Sequence, residues 1–198
     1  MEKSRSAHVT RTTTETQIDI TLNLDGEGSY TINTGVPFFN HLLELFARHG
    51  RFDLTIHAEG DIEVDFHHLV EDTGIVLGEA FKKALGDKGG INRFSSCCVP
   101  MDEALVRACV DLSGRPYLHY GIELDDPVIV HFNAQLIEEF FRAFVNSSGI
   151  TLHIDCIRGK NAHHVVEAAL KAFGRAMFDA SEVLFPDSEV PSTKGTLT

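Results

Sequence analysis

The sequence predicts an α+β fold made by tandem duplication of one small α/β unit, and three observations carry that prediction. A His-His-x-x-Glu signature occurs twice, as His67-His68-Leu69-Val70-Glu71 and His163-His164-Val165-Val166-Glu167, 96 residues apart. Each copy opens a helical stretch that follows a segment of strand-like alternation. The same order of strands, helix, strand and signature helix runs through both halves.

Residues 7–32 alternate in polarity and are rich in Thr, Ile and Leu; with Asp25-Gly26-Glu27-Gly28 as the turn they predict strands and a hairpin. Thr34-Gly35-Val36-Pro37 opens a helix over 38–49, with Gly50 as its stop. Residues 52–58 alternate again, placing Phe52, Leu54 and Ile56 on one face. A long helix over 67–83 is closed by Gly86 and Gly89-Gly90. In the second half a strand over 104–112 leads into the turn Ser113-Gly114-Arg115-Pro116, and bulky apolar residues mark a helix over 135–145. A strand over 150–157 and a helix over 162–183 complete the order. Phe52-Asp53-Leu54-Thr55-Ile56 aligns with Ile150-Thr151-Leu152-His153-Ile154 at an offset of 98. No Pro-, Ser- or Gly-rich linker separates the halves. Residues 1–198 therefore read as one compact domain of two repeats, about 7–92 and 93–185, followed by a C-terminal tail. A helix burying one stripe against a sheet in each half makes two α+β layers packed together.

With 17 Lys and Arg against 29 Asp and Glu, the net charge is −12. That balance excludes a nucleic-acid or anionic-membrane surface, which needs Lys and Arg. An anionic substrate would require a local basic cluster. No run approaches a membrane span and the first residues carry no apolar signal core, so the cytoplasm is the expected location. The four cysteines form neither a Cys-x-x-Cys pair nor a disulfide framework, and are expected to be buried or half-buried free thiols.

On a helix His67 and Glu71 share a face and can grip one metal ion. His68 is turned away by about 100° and needs another purpose, for which a second metal is the economical candidate. The same holds for His163, Glu167 and His164. The 98-residue offset also places Glu139 opposite His41, adding one candidate per half from a different helix. Imidazole and carboxylate without thiolate favour manganese, iron, cobalt or zinc over calcium or magnesium, and the two carboxylates lean towards manganese or ferrous iron. Because one helix cannot aim both histidines at one ion, each metal draws on both halves or on neighbouring subunits. His8, His57, His119, His131 and His153 fall on strands or their edges and fit packing or solvent roles. Arg93, Arg115, Lys171 and the tail Pro191-Ser192-Thr193-Lys194-Gly195 are the candidates for a phosphate clamp.

The chain resembles the imidazoleglycerol-phosphate dehydratase family over essentially its full length. The matching pieces are Arg11 with Glu15-Thr16, Gly35-Val36-Pro37-Phe38, His49-Gly50, Asp65-Phe66-His67-His68 with Glu71-Asp72, and Gly90-Ile91-Asn92-Arg93-Phe94. They continue with Asp111-Leu112-Ser113-Gly114-Arg115-Pro116-Tyr117, Gly159-Lys160-Asn161-Ala162-His163-His164 with Glu167, and Pro191-Ser192-Thr193-Lys194-Gly195. The resemblance implies a duplicated unit of the ribosomal protein S5 domain 2-like kind, with two sheets flanking a layer of helices. It implies dehydration of imidazoleglycerol phosphate to imidazole-acetol phosphate in histidine biosynthesis, two Mn2+ per active site, and a homo-oligomer of 24 subunits built from trimers. The metal ligands it implies are His41, His67, His68, Glu71, Glu139, His163, His164 and Glu167. Glu15, His49, Arg93, Arg115, Lys171, Ser192, Thr193 and Lys194 would contact substrate together with His41, His67 and His163. Glu15, Glu71 and Glu167 would form the catalytic set, with Glu15 moving protons. The chain departs from the family pattern at Glu139, where the family carries His.

Two other functions stay open on the residues alone. A two-metal phosphate-ester hydrolase would use the same clamp, though it would normally carry bridging aspartates. A metal-dependent assembly or storage protein would use the repeats as interface staples.

Overall fold

The computed structural model describes residues 5–186, 189–195 and 197. The opening residues 1–4, part of the signal-segment reading, lie outside that set. The first repeat runs β1 (Ser6–Thr12), β2 (Thr16–Asn23), β3 (Tyr30–Asn33), α1 (Pro37–Gly50), β4 (Asp53–Gly60) and α2 (His67–Leu85). The second runs β5 (Phe94–Met101), β6 (Ala104–Asp111), β7 (Tyr117–Gly121), the small hairpin β8 (Val128–Ile129) and β9 (Phe132–Asn133), α3 (Leu136–Ser148), β10 (Thr151–Arg158) and α4 (Ala162–Ser181).

The two four-stranded sheets have one topology. Their orders are β1-β2-β4-β3 and β5-β6-β10-β7, antiparallel except for a parallel edge strand, β3 on β4 and β7 on β10. The inward rows follow the alternation: Ile18, Ile20 and Leu22 on β2 are buried, as are Val106, Ala108 and Val110 on β6. β2 and β6 begin 88 residues apart (16 and 104), whereas β4 and β10 begin 98 apart (53 and 151). The ten extra residues make the β8–β9 hairpin, which the first repeat lacks.

The helices form the middle layer. α2 packs on β1 and β2, α4 on β5 and β6, and the repeats meet helix to helix, α1 against α4 and α2 against α3. Glycines set the closeness of those crossings: Gly74 of α2, where a Cβ would lie 2.6 Å from the Phe140 carbonyl oxygen of α3, and a matched pair besides. A Cβ on Gly78 of α2 would lie 2.5 Å from the Phe144 carbonyl oxygen of α3, and one on Gly174 of α4 would lie 2.6 Å from that of Phe46 in α1. Gly78 and Gly174 are 96 apart, Phe46 and Phe144 98 apart, so the contacts are copies of each other. Between them lies an aromatic core in which Phe46 stacks on Phe173 at 5.1 Å, and Phe144 meets Phe81 at 5.3 Å and Phe173 edge-on at 5.2 Å. Fully burying one such ring is worth about 1.5–3 kcal/mol.

Several local expectations are corrected. The hairpin of the first sheet turns at residues 13–15. The Asp25–Gly28 turn instead carries the chain across the sheet to β3, which pairs in parallel with β4 rather than with β2. Helix α1 does not stop at Gly50. Gly50 is helical and its missing side chain makes room for the Phe52 ring, while Arg51 takes the left-handed cap at φ 56°. β5 lies where no strand was expected, while β7 and the β8–β9 hairpin give bounds to the strands expected around His119 and His131. The cysteines are free, but Cys98 is exposed rather than buried.

Candidate metal centre and its surroundings

Both signatures begin their helix in the same way. The Asp65 carboxylate accepts from the His67 backbone N–H at 2.7 Å, and the Asn161 side chain accepts from that of His163 at 3.0 Å; Asp65 and Asn161 are repeat mates. This satisfies an otherwise free N–H of the first turn and fixes where the histidines begin. The rings then splay alike, at 82° in one pair and 83° in the other, with centroids 6.2 Å apart in both. A buried brace supports the first repeat: Asp72 accepts from Thr16 Oγ1 and, at 3.1 Å, from Arg11 Nε.

Three side chains converge across the α1–α4 crossing. His41 Nε2 and His163 Nε2 each lie 2.7 Å from Glu167 Oε1, and their ligating atoms fall within 4.8 Å of one another. His41 comes from the first repeat, His163 and Glu167 from the second. Lys171, one turn further along α4, donates to Glu167 Oε2 at 2.8 Å. Burial pushes the Glu167 carboxyl up, but hydrogen bonds from Lys171, His41 and His163 outweigh it and hold it at about 2. Phe38 covers the cluster, its ring 5.2 Å from His163. His49 lies near Lys171, and burial together with the Lys171 and Arg175 charges pushes its imidazole down.

The corresponding residues of the α2–α3 crossing do not close in the same way. His67 Nε2 is 3.7 Å from Glu71 Oε2, both side chains are more than two-fifths exposed, and Glu139 leans to Arg142 Nε at 3.8 Å. Among the described residues the His41, His163 and Glu167 group is the one tight cluster of such side chains. The charges at the two crossings differ as well. Position 75, the mate of Lys171, is isoleucine, so Glu71 has no lysine one turn along its helix, and Glu139 pairs with Arg142 on its own helix instead.

The second histidine of each signature faces a carboxylate. His68 Nδ1 lies 3.1 Å from Asp61 Oδ2 and 3.8 Å from Glu15 Oε2, while His164 Nδ1 lies 2.7 Å from Glu103 Oε2. Those hydrogen bonds raise both imidazoles above their ordinary range. Asp61 and Glu103 were not singled out from the sequence. Glu103 had a signal there, being 88 residues after Glu15, but the offsets in use were 96 and 98.

Of the basic candidates Lys171 thus sits with the histidines, and the others gather elsewhere. Arg93 clamps Asp111 through Nε at 2.8 Å and Nη2 at 3.2 Å, and its Nη1 donates to the Pro191 carbonyl at 2.7 Å. Arg115 reaches the same aspartate at 3.7 Å. The Pro191 contact brings Ser192, Thr193 and Lys194 past the arginines, and the Lys194 backbone N–H is held by Ser192 Oγ at 3.2 Å. Lys88, with one twentieth to one tenth of its surface exposed, completes the cluster, and burial lowers its ammonium. This group sits at the C-terminal end of α4, where the Arg93 N–H donates to Ala180 O. His163 opens the same helix, so at 1.5 Å per residue the two clusters are roughly 25 Å apart.

Comparison with known proteins places these features in a family. The family model described as imidazoleglycerol-phosphate dehydratase matches residues 34–177. The imidazoleglycerol-phosphate dehydratase of Caldanaerobacter subterraneus is 54% identical over 193 residues, covering 98% of this chain and 100% of that protein. That of Pelobacter propionicus is 55% identical over 195 residues, with coverage of 98% and 100%. Among solved structures, the Staphylococcus aureus enzyme superposes with a TM-score of 0.80 at 43% identity, covering 88% of this chain and 97% of that one. The Pyrococcus furiosus structure gives 0.81 at 36% identity, with coverage of 96% and 100%.

Proposed function

The chain belongs to the imidazoleglycerol-phosphate dehydratase family, and on that premise we propose that it removes water from imidazoleglycerol phosphate with two Mn2+ ions per active site. It is a hydro-lyase of histidine biosynthesis. The observation that carries the metal reading is the convergence of His41 and His163 on one Glu167 oxygen across the repeat interface. Two imidazole nitrogens and an ionised carboxylate, already gathered and partly screened from water, are a donor set suited to manganese or ferrous iron. His41, His163 and Glu167 would contribute to holding one ion, and His67, Glu71 and Glu139 to the other. His68 and His164 would each reach across to a site that their own helix cannot complete.

Bound metal would supply Lewis-acid stabilisation of negative charge on the substrate imidazole. The protein's own groups do the rest. Glu15, half exposed at the hairpin tip beside His68, would move the proton on the carbon next to the ring. Arg93, Arg115, Ser192, Thr193 and Lys194 would hold the phosphate, and Lys171 and His49 would line the metal end.

The separation of the two clusters supports an oligomer. The substrate spans under about 10 Å at ~1.5 Å per bond, so it cannot touch both ends of one α4. An active site with metal ligands and phosphate clamp must take them from different copies, in keeping with 24 subunits built from trimers. Among the described residues no helix is long and apolar enough to cross a membrane, and the proposed location is the cytoplasm.

The test is direct. Purified protein with Mn2+ should convert imidazoleglycerol phosphate to the enolisable ketone, read by its absorbance, and a chelator should abolish the signal. Release of inorganic phosphate instead would identify a hydrolase and overturn the proposal.

A further inference from the structure

Glu15 and Glu103 each stand one residue before the second strand of their hairpin, and each faces the second histidine of a signature. They are repeat mates with different contacts. Glu103 Oε2 lies 2.7 Å from His164 Nδ1, and its Oε1 accepts from the backbone N–H groups of Lys160 at 3.2 Å and Asn161 at 2.9 Å. One carboxylate thus joins the hairpin tip, the turn into α4 and the imidazole. In the first repeat Asp61 takes that place at 3.1 Å, and Glu15 stands off at 3.8 Å, beyond hydrogen-bond reach. The mate of Asp61 is Gly159, so the second repeat has no side chain there to relieve Glu103.

We propose that Glu103 is a positioning residue: by accepting the Nδ1–H of His164 it holds the tautomer whose Nε2 lone pair is free for a metal ion. Asp61 does the same for His68, and that substitution of partners leaves Glu15 free to reach substrate. The proposal rests on the reading of His68 and His164 as metal ligands. A neutral imidazole carries its proton on one nitrogen only, so the partner of Nδ1 decides whether Nε2 can ligate. His164 Nε2 already faces outward, 3.7 Å from the exposed Asp102 carboxylate.

Side-chain 15N NMR of the histidines in the chelator-treated protein, paired with Mn2+ titration by electron paramagnetic resonance, tests this. At alkaline pH, where the imidazole is neutral, His164 should show a protonated Nδ1 and a bare Nε2. Glu103→Ala should mix the tautomers and weaken one of the two Mn2+ ions by about 10- to 100-fold. Glu103→Gln, whose amide oxygen can accept the same N–H, should recover most of both signals, which a merely unfolded hairpin would not allow. Asp61→Ala should shift His68 and leave His164 unchanged. Wild-type tautomer and wild-type affinity in Glu103→Ala would overturn the proposal. A His164→Ala protein that binds both Mn2+ ions normally would instead overturn the ligand reading on which it rests.

Discussion

At the α1–α4 crossing, His41 and His163 both reach Glu167 at 2.7 Å, whereas at the α2–α3 crossing His67 stays 3.7 Å from Glu71 and Glu139 turns towards Arg142. The topology that carries these triads is duplicated, and Gly78 and Gly174 set matching contacts, but α2 has a second close approach at Gly74, where a Cβ would lie 2.6 Å from the Phe140 carbonyl oxygen and α4 has Leu170. Charge differs too. The closed triad holds one carboxylate, two imidazoles and the Lys171 ammonium, while the open one holds two carboxylates, one imidazole and an isoleucine in place of the lysine. Duplicated topology therefore does not suffice for a preassembled site, because both the packing and the charges at the two crossings differ.

That comparison can be broken most severely at its carboxylates. In metal-free protein, Glu167→Ala strands a largely buried Lys171 and should cost about 3–5 kcal/mol in urea denaturation, whereas the exposed Glu71→Ala should stay within about 0.5 kcal/mol. Equal losses would mean that the two triads do not differ as described. The pH dependence comes next. Glu167 titrates at about 2 in the folded chain against an ordinary 4.5, so its contribution is complete above the ordinary value and drains away as pH falls from about 4.5 through about 2. Solvent screening keeps the loss below about 3 kcal/mol. Glu167→Gln should flatten this acid limb in metal-free protein, with Glu71→Gln as the control.

The helix crossings give a smaller effect. Gly174→Ala and Gly78→Ala each push a methyl into a backbone carbonyl, and each should cost about 1–3 kcal/mol. Only Gly174→Ala should also open the His41–Glu167 contact, seen as weaker Mn2+ binding at that triad. The smallest change sharpens rather than breaks the contrast. Glu139→His puts at the open triad the residue type of its mate, His41, and should tighten Mn2+ there by up to about tenfold, read by titration. A weaker ion there would show that the metal needs the charge of the Glu139 ligand.

Much of the frame was legible in the residues. The signature helices, the apolar rows of β4 and β10, and the duplication of the His-His-x-x-Glu faces all follow from periods of 2.0 and 3.6 and from one internal repeat. β5 escaped because Phe94-Ser-Ser-Cys-Cys-Val-Pro-Met has no clean alternation of polar and apolar residues, although its inward side packs on α4. β3 and β7 are short edge strands whose parallel partners lie far along the chain, so no local signal marks their pairing. Arg93 and Arg115 meet at Asp111, but Lys171, expected with them, sits on Glu167, and the distance between the two groups is visible only once α4 is seen to run between them.

The sequence by itself determined which side chains share a helical face, because spacing along one helix is a local matter of 3.6 residues per turn. It therefore determined that His67 goes with Glu71, that His163 goes with Glu167, and that the next histidine points elsewhere. Only the tertiary structure decided that α1 crosses α4, bringing His41 to Glu167, and that Asp61 displaces Glu15 from His68 while Glu103 keeps His164. Those contacts join residues tens of positions apart, and they depend on which helices and hairpins pack together, which no single segment encodes.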